Sequence, residues 1–139
     1  YTYTGHPVGC AVALKTLEIY QRDNVFEHAA EVGEYMQLKL RTLKDHPLVG
    51  EIRGKGMIAA VELVANKKTG LAFPNGDVGN FAMKSCQKLG MITRAIANSS
   101  LAFCPPLIMT KSQIDEIIFI LQQALDETLI FASKNNYIA

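Results

Sequence analysis

The chain has 139 residues, 49% hydrophobic and 19% charged, enough to bury the core of one domain without disulfide or metal staples. Fourteen basic against 13 acidic side chains leave a net charge of +1 with no tract of like charge, which argues against nucleic acid or anionic membrane as partner. No apolar run reaches spanning length and the start shows no leader pattern, so neither a membrane span nor a secretory segment is expected.

The chain opens on Tyr1, Thr2, Tyr3, Thr4, Gly5, His6 and Pro7, which lead hydroxyls and a glycine into a helix. Pro7 suits a first turn, where its missing N–H costs nothing, and Thr4 is the expected N-cap. Hydroxyls and free N–H groups at a positive helix end can hold an anion. For Thr2 the competing reading is a plain edge or capping hydroxyl. Val8, Cys10, Ala11, Val12, Ala13 and Leu14 then make nearly the whole circumference apolar, so the first half of this helix should be enclosed. Because Tyr1 stands inside a patterned stretch with no methionine before it, the chain is expected to be part of a longer protein.

Apolar residues at three- and four-residue steps, Val25, Ala29, Val32, Met36, Leu40 and Leu43, predict a second helix over residues 25–44, closed by His46-Pro47. Residues 48–53 and 57–64 read as strands joined through Gly54-Lys55-Gly56, the second apolar enough to lie centrally. A surface loop follows over residues 65–77. Asp77 is then the expected cap of a third helix, with Val78, Phe81, Ala82, Ser85 and Leu89 facing inward and Gly90 ending it. Residues 91–96 and 101–104 form a hairpin around Ala97-Asn98-Ser99. Thr110 and Gln113 make a capping box for the last helix, whose stripe runs from Ile114 to Thr128. The tail over residues 132–139 should fray. This order predicts an α+β fold, with helices packed on one face of a small, mostly antiparallel sheet.

Several residues invite a chemical reading. Gly54-Lys55-Gly56 has Ala59 where a dinucleotide fingerprint needs its third glycine, and strands rather than a helix follow, so that reading fails. Cys10, Cys86 and Cys104 are odd in number and flanked by apolar residues, which suggests small buried hydrophobes in a reducing, cytoplasmic setting. His28 and His46 read as surface residues and His6 as a packing or capping residue; no metal set is expected. Arg94 is the one charge in an apolar hairpin and must pair, either with a structural carboxylate or with a substrate carboxylate; the residues alone leave both open. Arg53, beside glycines, reads as structural.

Three separated motifs carry a resemblance: residues 2–8, residues 50–57 running on to Val61-Glu62-Leu63, and Arg94-Ala95-Ile96 leading to Phe103-Cys104-Pro105-Pro106-Leu107-Ile108. Together, in this order, they resemble class III aminotransferases, the pyridoxal-phosphate ω-aminotransferases of fold type I. The resemblance implies that residues 1–24 lead in from a large domain and that residues 25–139 form the C-terminal small domain. It implies that Thr2, with Tyr1 beside it, reaches the cofactor phosphate of a neighbouring subunit in a homodimer. It also implies that Arg94 binds the carboxylate of an amino-acid or oxo-acid substrate. The turn at Ala97-Asn98-Ser99-Ser100 is one residue longer than is usual in the family.

In this family the lysine that binds the cofactor covalently lies upstream of the Thr-Tyr motif. This chain therefore holds no catalytic residue of its own and is expected to be inactive alone, with residues 8–14 exposed, disordered or covered by another copy if no large domain is present. An aminomutase or decarboxylase sharing the domain is the alternative within the family, and a non-catalytic binding or dimerisation module the alternative outside it.

Overall fold

The computed structural model describes Thr2 and residues 4–138. Four helices and four strands follow in the order α1 (Pro7–Arg22), α2 (Val25–Arg41), β1 (Val49–Lys55), β2 (Ile58–Leu63), α3 (Asp77–Lys88), β3 (Arg94–Ile96), β4 (Ser100–Phe103) and α4 (Lys111–Lys134). The strands make one antiparallel sheet in the order β1-β2-β4-β3, with β2 internal as its apolar sequence predicts.

Alternation along the strands decides which face is covered. Ala59, Val61 and Leu63 of β2 and Leu101 and Phe103 of β4 point into the core, where Met36 and Leu40 of α2, Val78 and Ala82 of α3, and Ile114, Leu121 and Leu125 of α4 meet them. Helices thus cover one face, and the other face is open. At roughly 25 cal/mol per Å² of apolar surface, each fully buried aliphatic side chain contributes about 1.5–3 kcal/mol.

Helix α2 is joined to the β1–β2 turn by a close backbone approach. A Cβ on Gly33 would stand 2.7 Å from the Gly56 backbone, and the buried Gln37 amide donates to Gly56 O at 2.9 Å and Ile58 O at 3.1 Å. Gly56 itself has φ +56°, the left-handed conformation this turn requires. The capping box of α4 forms as read, with the Thr110 hydroxyl accepting from Gln113 N–H and the Gln113 side chain accepting from Thr110 N–H.

Several expectations are corrected. The N-cap of α1 is His6, not Thr4, because Gly5 at φ +75° turns the chain before the helix can start. No residue of α1 is buried, so its first half is not enclosed; Val8, Val12 and Leu14 are 60–69% exposed because no other described element lies over them. Asp77 is the first residue of α3, and Gly76 is its N-cap. Helix α2 stops at Arg41 and tightens into a 3-10 turn over Thr42–Asp45. Strand β3 begins only at Arg94, since Met91 is drawn inward by its N–H donating 2.9 Å to Cys86 O at the end of α3. Phe81 and Leu89 are half-buried, and Cys86 takes a core position instead.

The tail does not fray through its first residues. Ala132 is buried, Asn136 adopts φ +56°, and Tyr137 N–H donates 2.9 Å to Ala132 O, closing α4 in a Schellman motif with asparagine in the glycine position. Tyr137 then packs edge-on to Phe73, with ring centroids 6.2 Å apart. Of the cysteines, only Cys86 is buried, where desolvation pushes its thiol up to about 11; Cys10 and Cys104 are exposed on α1 and past the end of β4.

The histidines differ from expectation as well. His28 is half-buried and donates through Nε2 to Met109 O at 2.9 Å, tying α2 to the approach to α4. His46 is buried, accepts from Leu48 N–H at Nδ1, and turns Nε2 toward Asp126 Oδ1 at 3.4 Å.

Candidate functional site

The open face of the sheet is where the chemistry-bearing side chains of the hairpin stand. Register puts Arg53 of β1 opposite Ala60 of β2, Ala60 opposite Ala102 of β4, and Ala102 opposite Arg94 of β3. One row therefore crosses all four strands with an arginine at each edge and two alanines as the floor between them. The neighbouring row on the same face holds Glu51, Glu62, Ser100 and Ile96.

The two arginines are in different states. Arg53 donates to Glu51 Oε2 at 2.9 Å and to Glu62 Oε2 at 2.5 Å, and the Glu62 bond is the main cause holding its guanidinium above the usual range. Two carboxylates satisfy it as a structural residue. Arg94 is exposed and, among the described residues, has no carboxylate partner. The expectation that it must pair assumed enclosure. On an edge strand of an open face, water solvates the guanidinium and leaves its fork free.

Backbone geometry fixes the base of Arg94. Thr93 Oγ1 donates 2.8 Å to Ala102 O, extending the ladder one residue before β3. At the other end the longer turn takes Ala97 and Asn98 through positive φ, at 43° and 68°. A cavity of about 360 Å³ opens beside this hairpin, lined by Met91, Ile92, Phe103, Cys104, Met109 and Ile117 among others. Ala102 is among its lining residues, with Met36, Phe103 and Ile117 of the helix-covered side.

At the other end of the chain, Thr2 and Thr4 are exposed and Gly5 and His6 lead into α1. The His6 side chain makes no capping bond, so among the described residues no cap occupies the N–H groups of the first turn of α1. Hydroxyls and N–H groups together are donors, the set that matches the oxygens of a phosphate. Tyr1, expected beside the phosphate, lies outside the described residues. Thr2 and Arg94 belong to separate elements, and no contact joins them among the described residues. Nor do three or more His, Cys, Asp and Glu side chains gather as a metal set would among those residues.

Sequence reading missed the row of alanines between the arginines. Its signal was the alanine at the third position of β2 and of β4, which becomes legible only once register is known.

A model of the family described as aminotransferase class-III matches residues 1–125, and the chain belongs to that family. Among curated relatives it is 44% identical over 129 residues to the putrescine–pyruvate aminotransferase of Pseudomonas aeruginosa, covering 92% of this chain and 28% of that protein. It is 40% identical to a mitochondrial gamma aminobutyrate transaminase of Solanum lycopersicum, covering 92% of this chain and 25% of that one. Among solved structures, the omega transaminase of Pseudomonas jessenii in complex with PMP superposes at a TM-score of 0.89 with 42% identity, over 96% of this chain and 29% of that one. A transaminase solved with L-ala superposes at 0.89 with 44% identity, over 94% of this chain and 31% of that one. The chain thus spans about a quarter of the length of the curated relatives it matches. The small antiparallel sheet with helices on one face is the α+β fold of these transaminases.

Proposed function

We propose that this chain forms the C-terminal small domain of a pyridoxal-phosphate-dependent aminotransferase, which moves an amino group between an amine or amino acid and an oxo acid. The observation that carries the reading is the free guanidinium of Arg94, held over an apolar floor on the open sheet face of a class-III aminotransferase chain. The relatives named for putrescine–pyruvate and gamma aminobutyrate transamination support a substrate pair in which at least one member is a carboxylate.

In this reading residues 1–24 lead in from a large domain and residues 25–139 form the small one. The core supports that division, since its first buried residue is Val25 and α1 buries none. Thr2, with Tyr1 beside it, contributes its hydroxyl to the cofactor phosphate across a homodimer interface, and the uncapped start of α1 adds a favourable positive end. When bound, the cofactor supplies the electron sink that amino transfer needs.

Arg94 offers two parallel N–H donors to a substrate carboxylate and so fixes which end of the substrate faces the reacting centre. The Ala60–Ala102 floor leaves room above it for a chain of carbon atoms. The exposed thiols of Cys10 and Cys104 fit a reducing compartment, and we take the cytoplasm as its setting.

The test is kinetic, on the complete enzyme. Arg94→Leu is expected to raise the KM of an oxo-acid acceptor on the order of tenfold or more, the range for a charge-assisted pair of about 1.5–3 kcal/mol. It should leave the half-reaction of a carboxylate-free primary amine close to normal. An unchanged oxo-acid KM would refute the role given to Arg94, and absence of any oxo-acid-dependent amine consumption would refute the activity.

A further inference from the structure

The aim of Arg94 depends on more than the sheet. β3 is a three-residue edge strand with one strand neighbour, and its turn is held from outside the hairpin. We propose that Gly79, in the first turn of α3, is a positioning residue for Arg94: it seats the backbone of the Asn98-Ser99 turn against the helix and so sets the tilt of β3 on the open face. This inference rests on the reading of Arg94 as a carboxylate binder.

The geometry is close. A Cβ at Gly79 would lie 2.4 Å from Asn98 O and 2.8 Å from Ser99 Cα, against about 3.4 Å for ordinary contact. The obstacle is backbone, which has no rotamer by which to escape. Gly79 lies inside a helix with no unusual φ, so its lack of a side chain is needed for the approach and not for the conformation. On its other side the turn is pinned by Leu63 N–H donating 3.0 Å to Ser99 O, and Ser99 is buried. A displaced turn therefore cannot slide freely; it moves the hairpin, and Arg94 lies two residues from the strand end that carries the turn.

The first turn of α3 is in turn held by the tail. Tyr137 Oη donates 2.7 Å to Asp77 Oδ2, two residues before Gly79. Tail, helix, turn and arginine make one mechanical line.

The experiment uses the complete enzyme and reads two quantities: the Kd of a simple monocarboxylate by calorimetry, and KM and kcat for an oxo acid beside the half-reaction of a carboxylate-free primary amine. Arg94→Leu comes first; if it leaves carboxylate binding unchanged, the Arg94 reading fails and this inference with it. Given a weakened Arg94→Leu enzyme, Gly79→Ala should raise the carboxylate Kd and the oxo-acid KM on the order of tenfold, as expected for ångström-scale misplacement of a positioned group. The carboxylate-free amine should change less than about twofold, well under the tenfold that 1.4 kcal/mol represents.

Gly76→Ala is the control. Its added Cβ meets Asn98 O at 3.4 Å, an ordinary contact, and should alter neither quantity. In a folded Gly79→Ala enzyme, unchanged carboxylate binding, or equal losses with both substrates, overturns the proposal while leaving Arg94 in place. Should Gly79→Ala not fold, Tyr137→Phe loosens the same helix start without touching the core and should raise the carboxylate Kd severalfold; an unchanged Kd there overturns the proposal as well.

Discussion

Tyr137 and Asp77 lie 60 residues apart in the chain, yet the tyrosine hydroxyl donates 2.7 Å to the aspartate and holds the end of α4 to the beginning of α3. Hydrogen bonding to Asp77 is the leading cause raising the Tyr137 hydroxyl above its usual range. Tyr137→Phe keeps the ring against Phe73 and Phe131 and removes only this tie. The expected outcome is faster amide hydrogen exchange over the first turn of α3, with exchange in α2 unchanged. Peptide-resolved exchange by mass spectrometry measures it, and equal exchange in both proteins would show that the tie holds nothing.

Gln37 makes a second such tie, from α2 to the β1–β2 turn. Gln37→Leu keeps the volume but leaves Gly56 O and Ile58 O without their side-chain donor in a part-buried contact. A loss of about 0.5–1.5 kcal/mol is expected, the net worth of a typical hydrogen bond. A urea midpoint that does not move would contradict it.

The capping box of α4 gives a third prediction. Thr110→Ala removes the acceptor for Gln113 N–H and should cost about 0.5–2 kcal/mol. Thr110→Ser keeps the hydroxyl and should restore most of that loss. Thermal denaturation of the two variants decides, and equal destabilisation by both would rule out capping as the cause.

His46 makes stability depend on pH. Burial, the largest influence, lowers its pKa from 6.5; Asp126 acts the other way and Lys67 adds to the lowering. The unfolded chain therefore takes up this proton more readily than the folded one. Stability from this group is complete above about 6.5 and is lost as pH falls through the folded-state value. Denaturant midpoints should decline between pH 7.5 and 5.5 in the native protein and decline less in His46→Gln, which retains an acceptor for Leu48 N–H. Identical slopes would exclude His46 as the source.

Periodic signals survived translation into structure best. The Val25 to Leu40 stripe, the apolar β2 and the Thr110–Gln113 box are each set by neighbours within a few residues, and each formed where it was read. Burial of single groups was read less well. His46 and Cys86 look no different in sequence from His6 and Cys10, because what covers a side chain comes from elsewhere in the chain.

The opening segment shows both limits. Its hydroxyls, glycine and proline announce an anion-ready helix start, and α1 does begin there uncapped. What covers its apolar circumference is not written in the segment, and among the described residues nothing does.

Sequence alone determined the class of elements, their order and the motifs that mark the family, because helix stripes, strand alternation and caps are local consequences of side-chain spacing. The residues already read Arg53 as structural, but only the tertiary structure shows which carboxylates hold it and that Arg94 has none among the described residues. That difference depends on strand register, on which sheet face the helices leave open, and on a glycine in α3 approaching the turn that carries the free arginine. These are contacts between residues distant in the chain, for which spacing along the sequence carries no signal.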